Sequence, residues 1–381
     1  MLRYTALIVF LLLIQVLCGQ SLSFSEAAPL PVPKSAMSSA QAEGQIYVVN
    51  GFSESEQFTG TVHRFDVQQD AWDTLTNTTV PKRFASSAIV GDYLYIFGGV
   101  ASGNINPLVE QVDLRDGTVT QLNPHPNPVT NGGVATWNNR IYLFGGSLTP
   151  STYSDQLLVF DPAVEAWDFL ASMPRTGQVQ GEIVDGKLYL LGGYNGTPST
   201  EVNVYNIATD TWETTYTMPV AISAHATAVN GTDIYLVGDF ANLTSLARFD
   251  TETKEFTTLS SNLNPRRHCA AETVDGALYA IGGNTESNIT SSVSSVQRAR
   301  VGASSTVRPN AMVLTAYPNP AQDRVQLDRT FALVQVFDAA GVLVRNVEHV
   351  DAIGVDELLP GTYTLIATDK GEVLRTTIVR P

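Results

Sequence analysis

The sequence has 381 residues, of which 44% are hydrophobic and only 15% are charged. This length allows two or three domains, or one large repeat array with a small partner domain. So small a charged fraction is not typical of a disordered or coiled-coil protein. The 37 acidic residues outnumber the 22 basic residues, which gives a formal net charge of −15. Because nucleic acids and anionic membranes are bound through basic patches, this balance argues against both as partners.

The first twenty residues have the pattern of a secretory signal peptide. Arg3 supplies a positive charge, and an apolar run from Ala6 to Leu17 follows. This run is shorter than the ~20 apolar residues that a membrane-spanning helix needs. We therefore expect residues 1–20 to be removed on export, leaving no transmembrane segment in the mature chain. The alternatives are a lipid anchor at Cys18, although no small residue precedes it, and an uncleaved N-terminal anchor.

The centre of the chain repeats one short motif: an apolar residue, tyrosine, any residue, an apolar residue and two glycines. It recurs six times, at intervals of 44 to 48 residues. Its tyrosines are Tyr47, Tyr95, Tyr142, Tyr189, Tyr235 and Tyr279. Each copy is typical of a short apolar β-strand that ends where glycine permits a turn or a close backbone approach. Two copies depart from the motif, with Asn50 and Asp239 in place of a glycine.

A second signal follows each tyrosine by about 20 residues: an alternating strand, a turn and, in most copies, an aromatic residue. The aromatic residues are Trp72, Trp167, Trp212 and Phe256, whereas Val119 takes this position in the second copy. The pattern predicts four short strands per repeat, which we call a, b, c and d, with the tyrosine motif on strand b. Because one unit buries little apolar surface alone, the units must stack in a ring or an array.

The ends of the repeat region favour a ring. The sixth copy has strands a, b and c, but no strand d follows them. Residues 24–31 match residues 167–174 position by position, with Phe24 in place of Trp167. An N-terminal strand that completes the last repeat would close a circle and remove the exposed strand edges. Cleavage of a signal peptide would then have to fall before Phe24.

The repeated Gly-Gly motifs with their downstream Tyr/Phe-Asp and Trp resemble kelch repeats. The resemblance covers residues 24–302 and recurs in register six times. It implies an all-β fold, namely a six-bladed kelch-type β-propeller with four strands in each blade, closed by the N-terminal strand.

After a linker at residues 303–313, alternating strands with Gly and Asp turns predict a small Ig-like β-sandwich at residues 314–381. Its motifs are Tyr317–Pro320, residues 336–341 and Pro360–Tyr363. In this order they resemble the C-terminal sorting domain of the type IX secretion system of Bacteroidota. The resemblance implies recognition by that machinery, export across the outer membrane, removal of the domain, and release or attachment to surface lipopolysaccharide. An ordinary Ig-like accessory module is the alternative.

Three arginines mark one face of the predicted disc. Arg83, Arg175 and Arg267 each follow the proline after strand d and open strand a, at intervals of 92 residues. In a ring of six repeats they would form a pseudo-threefold set at the mouth of the central channel. Guanidinium groups on an acidic protein are suited to holding a carboxylate or sulfate. The competing interpretation is structural, with these arginines bonding loop carbonyls.

Other side chains are expected on the same face, because antiparallel strands bring the b–c and d–a loops together and loops on rigid scaffolds carry binding residues. Phe58, Tyr153 and Tyr194 lie in the long b–c loops. Lys34 and Arg266 would add positive charge to the arginine set. We therefore predict a ligand-binding face that includes the three arginines together with Tyr153 and Tyr194.

Glu182 and Glu272 occupy matching positions before the tyrosines of the fourth and sixth repeats. A carboxylate on an inner strand must be paired, solvated in the channel or shifted in pKa. Either residue is a weak candidate for a general base. We favour a structural role instead, in which each glutamate forms a salt bridge with one of the arginines.

The sequence indicates no metal site and no cofactor. His225 and His268 lie on strand a of neighbouring repeats, but no histidine pair has metal-ligand spacing on a helix face. Nucleotide-binding glycine loops and nucleophile elbows are absent from the sequence. Cys269 would be alone if Cys18 left with a signal peptide, and we expect it to be a small buried apolar residue.

Two functional hypotheses remain, and the first is favoured. The first is a monomeric binding module, secreted or on the cell surface, that engages a protein or an anionic glycan through the loop face. The second is a carbohydrate-active enzyme resembling N-acetylneuraminate mutarotase, an exported six-bladed kelch protein whose start resembles residues 28–36. That family carries a long insertion in its propeller, for which the repeat intervals here leave no room.

Overall fold

The structure is a computed structural model, and the residues that it describes are 21–55, 57–286, 291–301, 316–317, 319–338, 342–369 and 372–381. The predicted signal peptide, residues 1–20, and the predicted linker, residues 303–313, lie outside the described residues. The chain divides into two units, residues 1–306 and 307–381, and each is described by itself. In the described part of the chain, no helix has the length and apolar character to cross a membrane.

Short strands account for most of the first unit. As far as Gln178 they are β1 (Ser21–Leu22), β2 (Phe24–Ala27), β3 (Ser38–Ala42), β4 (Gln45–Val49), β5 (Phe52–Ser53), β6 (Gln57–Phe58), β7 (Val62–Asp66), β8 (Ala71–Thr76), β9 (Arg83–Val90), β10 (Tyr93–Ala101), β11 (Asn104–Ile105), β12 (Val109–Asp113), β13 (Val119–Leu122), β14 (Gly133–Trp137), β15 (Arg140–Phe144), β16 (Ser147–Thr149), β17 (Thr152–Tyr153), β18 (Leu157–Asp161) and β19 (Ala166–Phe169). The remaining strands of this unit are β20 (Gln178–Val184), β21 (Lys187–Tyr194), β22 (Ser199–Asn206), β23 (Thr211–Trp212), β24 (Tyr216–Ile222), β25 (Ala226–Asn230), β26 (Asp233–Val237), β27 (Leu246–Asp250), β28 (Phe256–Thr258), β29 (Ser260–Ser261), β30 (Ala270–Val274), β31 (Ala277–Ile281) and β32 (Val296–Arg300).

Most of these strands build six antiparallel sheets with a common set of four strands, which we call blades 1 to 6; the sheets of blades 2 and 4 each have a fifth strand, β11 and β24. In the described residues the blades are β3-β4-β7-β8, β9-β10-β12-β13, β14-β15-β18-β19, β20-β21-β22-β23, β25-β26-β27-β28 and β30-β31-β32-β2. The first-named strand of each blade packs against the first-named strands of the two neighbouring blades, so the six inner strands form a closed ring. The all-β class and the propeller architecture predicted from the repeats are therefore confirmed.

The N-terminal strand completes the last blade, as predicted. β2 pairs antiparallel with β32, and Phe24 lies opposite Ala299. The side-chain amide of Asn262 fixes this strand, because its Oδ1 accepts the Phe24 N–H at 2.7 Å and its Nδ2 donates to the Phe24 carbonyl at 2.9 Å. The ring is thus closed by hydrogen bonds between residues from opposite ends of the repeat region.

The hydrophobic core lies between the blades. Each cluster of buried apolar side chains in this unit joins two neighbouring blades, and each contains one of the motif tyrosines. The predicted aromatic at strand d packs on an aromatic of strand c: the ring centroids of Trp72 and Phe65 are 4.8 Å apart, and those of Trp167 and Phe160 are 4.7 Å apart. Cys269 is buried in one of these clusters, as expected.

The glycines of the motif are required where blades meet. Gly98 has a φ of 60°, and a Cβ there would lie 2.2 Å from the Val129 carbonyl oxygen. Asn50 keeps the left-handed backbone, with a φ of 57°. Asp239 replaces the second glycine of its copy, and its carboxylate accepts the backbone N–H of Ser223 at 2.9 Å. The two departures from the motif therefore keep the blade intact by different means.

The second unit is a single five-stranded sheet in the described residues. Its strands are β33 (Ala316–Tyr317), β34 (Arg324–Phe337), β35 (Leu343–Gly354), β36 (Gly361–Asp369) and β37 (Glu372–Arg380). Their order is β33-β34-β36-β37, with β35 also paired to β34. Its core is separate from those of the blades and includes Val325, Phe331 and Leu365. The description of this unit as an Ig-like sandwich stays a prediction.

Candidate functional site

One end of the central channel is encircled by six residues at register-equivalent positions, each just before or at the start of an inner strand. They are Ala36, Phe84, Asn131, Gln178, Ala224 and His268. All except Gln178 have a positive φ. The Phe84 N–H donates to the Ala36 carbonyl at 2.8 Å, and the His268 N–H donates to the Ala224 carbonyl at 2.9 Å. Such hydrogen bonds between neighbouring blades hold the set, which we call the mouth ring.

Side chains extend this network on one side of the mouth ring. Asn131 Nδ2 donates to Gln178 Oε1 at 2.7 Å, and Gln178 Nε2 donates to Ser147 Oγ at 2.7 Å. On the other side, the rings of Phe84 and His268 meet edge to face at 5.2 Å. Ala36 lies between Phe84 and His268 in the ring, and its small side chain allows the two aromatic residues to meet.

Arg83 and Arg267 directly precede Phe84 and His268, so the structure brings these two predicted arginines to the same part of the mouth. The Arg83 guanidinium carbon lies 5.4 Å from the ring centroids of both Phe58 and Phe84. The Arg267 guanidinium carbon lies 4.2 Å from the centroid of the exposed Phe240 ring. We call Arg83 and Arg267 the arginine pair.

Neither guanidinium of the arginine pair forms an ion pair with a carboxylate among the described residues. The Nε atoms of Arg83 and Arg267 are both buried without a hydrogen-bond partner. Desolvation lowers the pKa of each guanidinium below the ordinary arginine value. Arginine stays charged despite such a shift, so two uncompensated positive charges stand at the mouth of an acidic protein.

The positive charges of the arginine pair also affect the pKa of His268. Burial, the charge of Arg267 and the charge of Arg83 lower the pKa of His268 to about 4. The imidazole is therefore neutral at physiological pH and adds no charge to the mouth. The sequence drew attention to the arginines, but it gave no sign that His268 and Phe240 would contact them.

Arg175 stands apart from the arginine pair. Gly177, and not Arg175, takes the position that precedes mouth-ring residue Gln178. Desolvation lowers the pKa of Arg175, and the carboxylate of Glu201 opposes this shift. Arg175 therefore lies two residues earlier in its loop than Arg83 and Arg267 do in theirs, and the structure does not place it at the equivalent position of the expected pseudo-threefold set.

Tyr153 and Tyr194 come together on the loops of blades 3 and 4. Their rings meet edge to face with centroids 6.1 Å apart, and both side chains are half-buried. The Arg175 guanidinium approaches this group, since a Cβ on Gly177 would lie 3.6 Å from Arg175 Nη2 and 3.3 Å from the Tyr194 carbonyl oxygen. The structure thus brings Tyr153 and Tyr194 into contact, with Arg175 on the neighbouring loop.

The expected contribution of Lys34 and Arg266 to the binding face is wrong, because both side chains are fully buried. Arg266 Nη1 donates to the carbonyl oxygens of Ala280 at 2.9 Å and Gly282 at 3.2 Å. Lys34 Nζ donates to Thr61 Oγ1. These cations satisfy protein acceptors between blades and leave no charge for a ligand.

The channel behind the mouth ring is a cavity of about 300 Å³, lined mainly by the small and polar side chains of the inner strands. Glu182 on β20 and Glu272 on β30 both line it. Glu182 Oε1 accepts a hydrogen bond from Thr227 Oγ1 at 2.9 Å, and Glu272 Oε1 accepts one from Ser39 Oγ at 2.6 Å. Each donor comes from the neighbouring blade.

Neither glutamate pairs with an arginine in the described residues, so the expected salt bridge to the arginine set is wrong. Desolvation raises the pKa of Glu182 to about 7. Desolvation, with a further contribution from the charge of Glu182, raises the pKa of Glu272 to about 8. A single hydroxyl donor compensates each carboxylate only in part, so both groups change charge near physiological pH.

No group of three or more metal-ligating side chains occurs in the part of the chain that the structure describes. Burial lowers the pKa of His225 to about 4, so its imidazole is neutral at physiological pH. The arrangement at the mouth is thus suited to binding an anion, while the channel glutamates are suited to exchanging protons.

Family comparisons agree with the fold of both units. The family described as KLHDC2/KLHL20/DRC7 Kelch-repeats domain matches residues 9–179. The family described as Attractin/LZTR1 beta-propeller matches residues 106–302, which is more than half of the chain. The family described as Secretion system C-terminal sorting domain matches residues 315–380.

Individual relatives are more distant. Kelch-like protein terF of Aspergillus terreus is 26% identical over 246 residues, which cover 56% of this chain and 53% of that protein. Kelch-like protein 15 of Homo sapiens is 28% identical over 204 residues, which cover 46% of this chain and 33% of that protein. Beta-scruin of Limulus polyphemus is 27% identical over 200 residues, which cover 48% of this chain and 22% of that protein. The chain thus spans about half or less of the length of these relatives.

A solved structure described as that of YjhT has a TM-score of 0.61 with this chain at 16% sequence identity. The match covers 72% of this chain and 97% of that one, and at this identity it establishes a common fold alone. Together with the repeat motifs and the ring of blades, these matches identify both units. The chain belongs to the kelch-type β-propeller family, with its match to the Attractin/LZTR1 beta-propeller, and carries a type IX secretion system C-terminal sorting domain.

Proposed function

We propose that this protein is an exported binding module whose propeller binds an anionic ligand at the arginine pair. The ligand class is a carboxylate-bearing glycan or an acidic segment of a protein. The observation that carries the proposal is that Arg83 and Arg267 stand at the mouth of the channel without a carboxylate partner among the described residues. Charged groups that are removed from water normally have a partner of opposite charge. Two arginines without such a partner, on loops that a rigid scaffold holds, therefore indicate a binding site for an external anion.

The geometry of the arginine pair suits this task. Phe58, Phe84 and Phe240 lie beside the guanidinium groups, and the Nη donors of the two arginines are the atoms that would bind an anion, since both Nε atoms are buried. Carboxylates and sulfates accept two such hydrogen bonds from one guanidinium. Because the protein carries a net charge of −15, an anion would be drawn to this site and repelled from most of the remaining surface.

Export is the role of the second unit in this proposal. The sorting-domain match at residues 315–380 indicates secretion by the type IX system and recognition by its machinery. The finer steps are part of the proposal: removal of a signal peptide and of the sorting domain, followed by release or by attachment to the outer surface of a cell of the Bacteroidota. We also expect the propeller to act as a monomer, with neither nucleic acid nor membrane as a partner.

Replacing both members of the arginine pair tests the proposal. In the full chain, Arg83→Ala/Arg267→Ala is expected to weaken binding of N-acetylneuraminate, glucuronate or an acidic peptide by about a hundredfold or more, because each charge-assisted hydrogen bond contributes about 1.5–3 kcal/mol. Isothermal titration calorimetry measures the change in Kd. The matched control is Arg115→Ala/Arg140→Ala, which removes the same charge from arginines that form exposed ion pairs.

Three results would contradict the proposal. One is unchanged affinity of the arginine-pair variant for a ligand that binds the wild type. Another is the absence of binding by every anion of the panel, which would leave the arginines structural and favour an uncharged partner on the loop face. Equal loss of affinity in the control variant would show that net charge, and not the mouth, is responsible.

A second candidate function is a carbohydrate-active enzyme resembling N-acetylneuraminate mutarotase. The observation that favours it is the glutamate pair, whose raised pKa values suit a general acid and a general base at neutral pH. Anomer exchange of N-acetylneuraminate, followed by nuclear magnetic resonance, would then be faster with the protein than without it. Glu182→Gln/Glu272→Gln is expected to return the exchange to the uncatalysed rate, and equal rates with and without the wild type would exclude this candidate.

A further inference from the structure

Phe240 presents an accessible aromatic ring beside the arginine pair. Its side chain is 53% exposed, and the guanidinium carbon of Arg267 lies 4.2 Å from its ring centroid. The Phe240 N–H donates to the Ser223 carbonyl at 2.9 Å, directly before mouth-ring residue Ala224. The backbone of Phe240 is therefore fixed at the mouth, while its ring remains open to solvent.

The corresponding side chain is less exposed in every other repeat. This position directly follows the last residue of the tyrosine motif, and its other occupants are Phe52, Val100, Ser147, Tyr194 and Asn284. All of them are buried or half-buried. Because Phe52 and Tyr194 are aromatic as well, the exposure of Phe240 follows from the path of its loop and not from the type of residue.

Asp239 holds the loop that presents Phe240. It replaces the second glycine of the motif, and its carboxylate accepts three backbone N–H groups. Oδ1 accepts that of Ser223 at 2.9 Å, and Oδ2 accepts those of Ala241 at 3.0 Å and Asn242 at 2.9 Å. Since this loop is already ordered, an aromatic side chain on it can bind a partner with little further loss of conformational entropy.

We propose that Phe240 is an apolar contact for the ligand of the arginine pair, and that this ligand is an acidic protein segment with an apolar side chain next to its acidic one. This inference rests on the proposed function and names the ligand class within it. Aromatic residues and arginine are enriched in protein interfaces and contribute much of their binding energy. An exposed phenyl ring beside two unpaired cations is complementary to a segment that carries both kinds of side chain.

The position of Arg267 favours a peptide over a sugar acid. The guanidinium lies over one face of the Phe240 ring, so an apolar group of the ligand has to use the open face. At van der Waals contact that group is roughly 6–9 Å from a carboxylate bound by Arg267. In a uronate the carboxyl carbon is bonded directly to the sugar ring and cannot span this distance. Neighbouring residues of a peptide can, because their Cα atoms are ~3.8 Å apart and their side chains diverge.

Calorimetry of the full chain with matched peptides tests the inference. The probes are blocked tetrapeptides in which a central aspartate is followed by leucine, phenylalanine or alanine, so all three carry the same charge. We expect a Kd about tenfold lower for the leucine and phenylalanine peptides than for the alanine peptide, because their larger apolar groups leave water on Phe240. Arg83→Ala/Arg267→Ala should weaken binding of all three peptides.

Phe240→Ala should reduce the preference for the apolar peptides to about twofold or less and leave the Kd of the alanine peptide nearly unchanged. Asp239→Gly restores the glycine of the other repeats and removes the carboxylate that orders the loop, so it should also lower the preference. The matched control is Phe169→Ala, which removes a ring that is 59% exposed on β19, the outer strand of blade 3. This control should keep the preference of the wild type.

The outcomes separate this inference from the proposed function. Equal Kd values of the wild type for the apolar and alanine peptides, or an unchanged preference in Phe240→Ala, would overturn the role of Phe240 alone. Binding of glucuronate or N-acetylneuraminate that depends on Phe240, without binding of any peptide, would overturn the assignment to a protein segment. No binding by any of these anions would overturn the proposed function itself.

Discussion

Replacing Glu110 by glutamine is expected to lower the free energy of unfolding of the propeller by about 3–5 kcal/mol. Glu110, on β12, accepts a hydrogen bond at Oε2 from Lys82 Nζ at 2.7 Å, and both side chains are almost fully buried. An amide at this position can still accept the Val80 N–H, which Glu110 Oε1 now accepts at 2.8 Å. It cannot neutralise the ammonium group, so a buried charge is left uncompensated.

The double variant Lys82→Met/Glu110→Gln is the control. It removes both charges, keeps the acceptor for Val80 and fills the lysine site with an apolar chain of similar length. Its unfolding free energy should lie within about 1 kcal/mol of the wild type or above it, because a buried ion pair seldom outperforms an apolar replacement. Guanidinium chloride denaturation measures all three proteins. A Glu110→Gln protein that unfolds at the wild-type denaturant concentration would contradict the prediction.

The pH dependence gives this experiment a second readout. Burial already lowers the pKa of Lys82, and the charge of Glu110 opposes this effect. Without Glu110, the folded state binds the lysine proton still less readily than the unfolded state does. Because the unfolded state then carries more protons, the Glu110→Gln protein should regain stability as pH rises toward the unfolded lysine pKa of about 10.4. A simple loss of packing would not be relieved in this way.

Replacing Phe24 by alanine is expected to cost about 3–5 kcal/mol of unfolding free energy. The Phe24 side chain is buried in the cluster that joins blades 5 and 6, beside Leu278 and Ala299. It also stands at the strand pairing that closes the ring. Removing the phenyl group would therefore leave a cavity where the two ends of the repeat region meet.

The neighbouring residue Ser25 supplies the matched control for Phe24. Ser25 lies on the same strand with its side chain exposed, so Ser25→Ala should change the unfolding free energy by no more than about 0.5 kcal/mol. Thermal and denaturant unfolding followed by tryptophan fluorescence would compare the two. A Phe24→Ala protein as stable as Ser25→Ala would contradict a role of β2 in holding the ring closed.

The fold was largely predictable because the same pattern of strands and turns recurs six times in the sequence. The spacing of the tyrosine motifs and the match between residues 24–31 and 167–174 predicted the propeller and its closing strand. These signals are local patterns of apolar residues, glycines and turns, which act within one blade. The correct expectation that Phe24 replaces a tryptophan needed only the alignment of one repeat with another.

The candidate site was less predictable because its contacts cross between blades. Ser39 donates a hydrogen bond to Glu272 although 233 residues separate them in sequence. No motif in the sequence around Glu272 predicts this partner. Arg266 and Arg267 are adjacent, yet the first is buried among carbonyl groups while the second stacks on Phe240 at the mouth. A shift of two residues in the loop before β20 removes Arg175 from the position that Arg83 and Arg267 occupy before the mouth ring.

The closing strand also sets an order on folding. Hairpins within blades 1 to 5 join neighbouring segments, but the last blade needs β2 and β32, and the hydrogen bond from Gln297 to Glu26 spans 271 residues. Contacts of such separation are the slowest to form, since a long loop must be closed first. A chain that has emerged only as far as blade 5 therefore presents β2 without its partner strand, and β2 is open to pairing with other chains until β32 arrives.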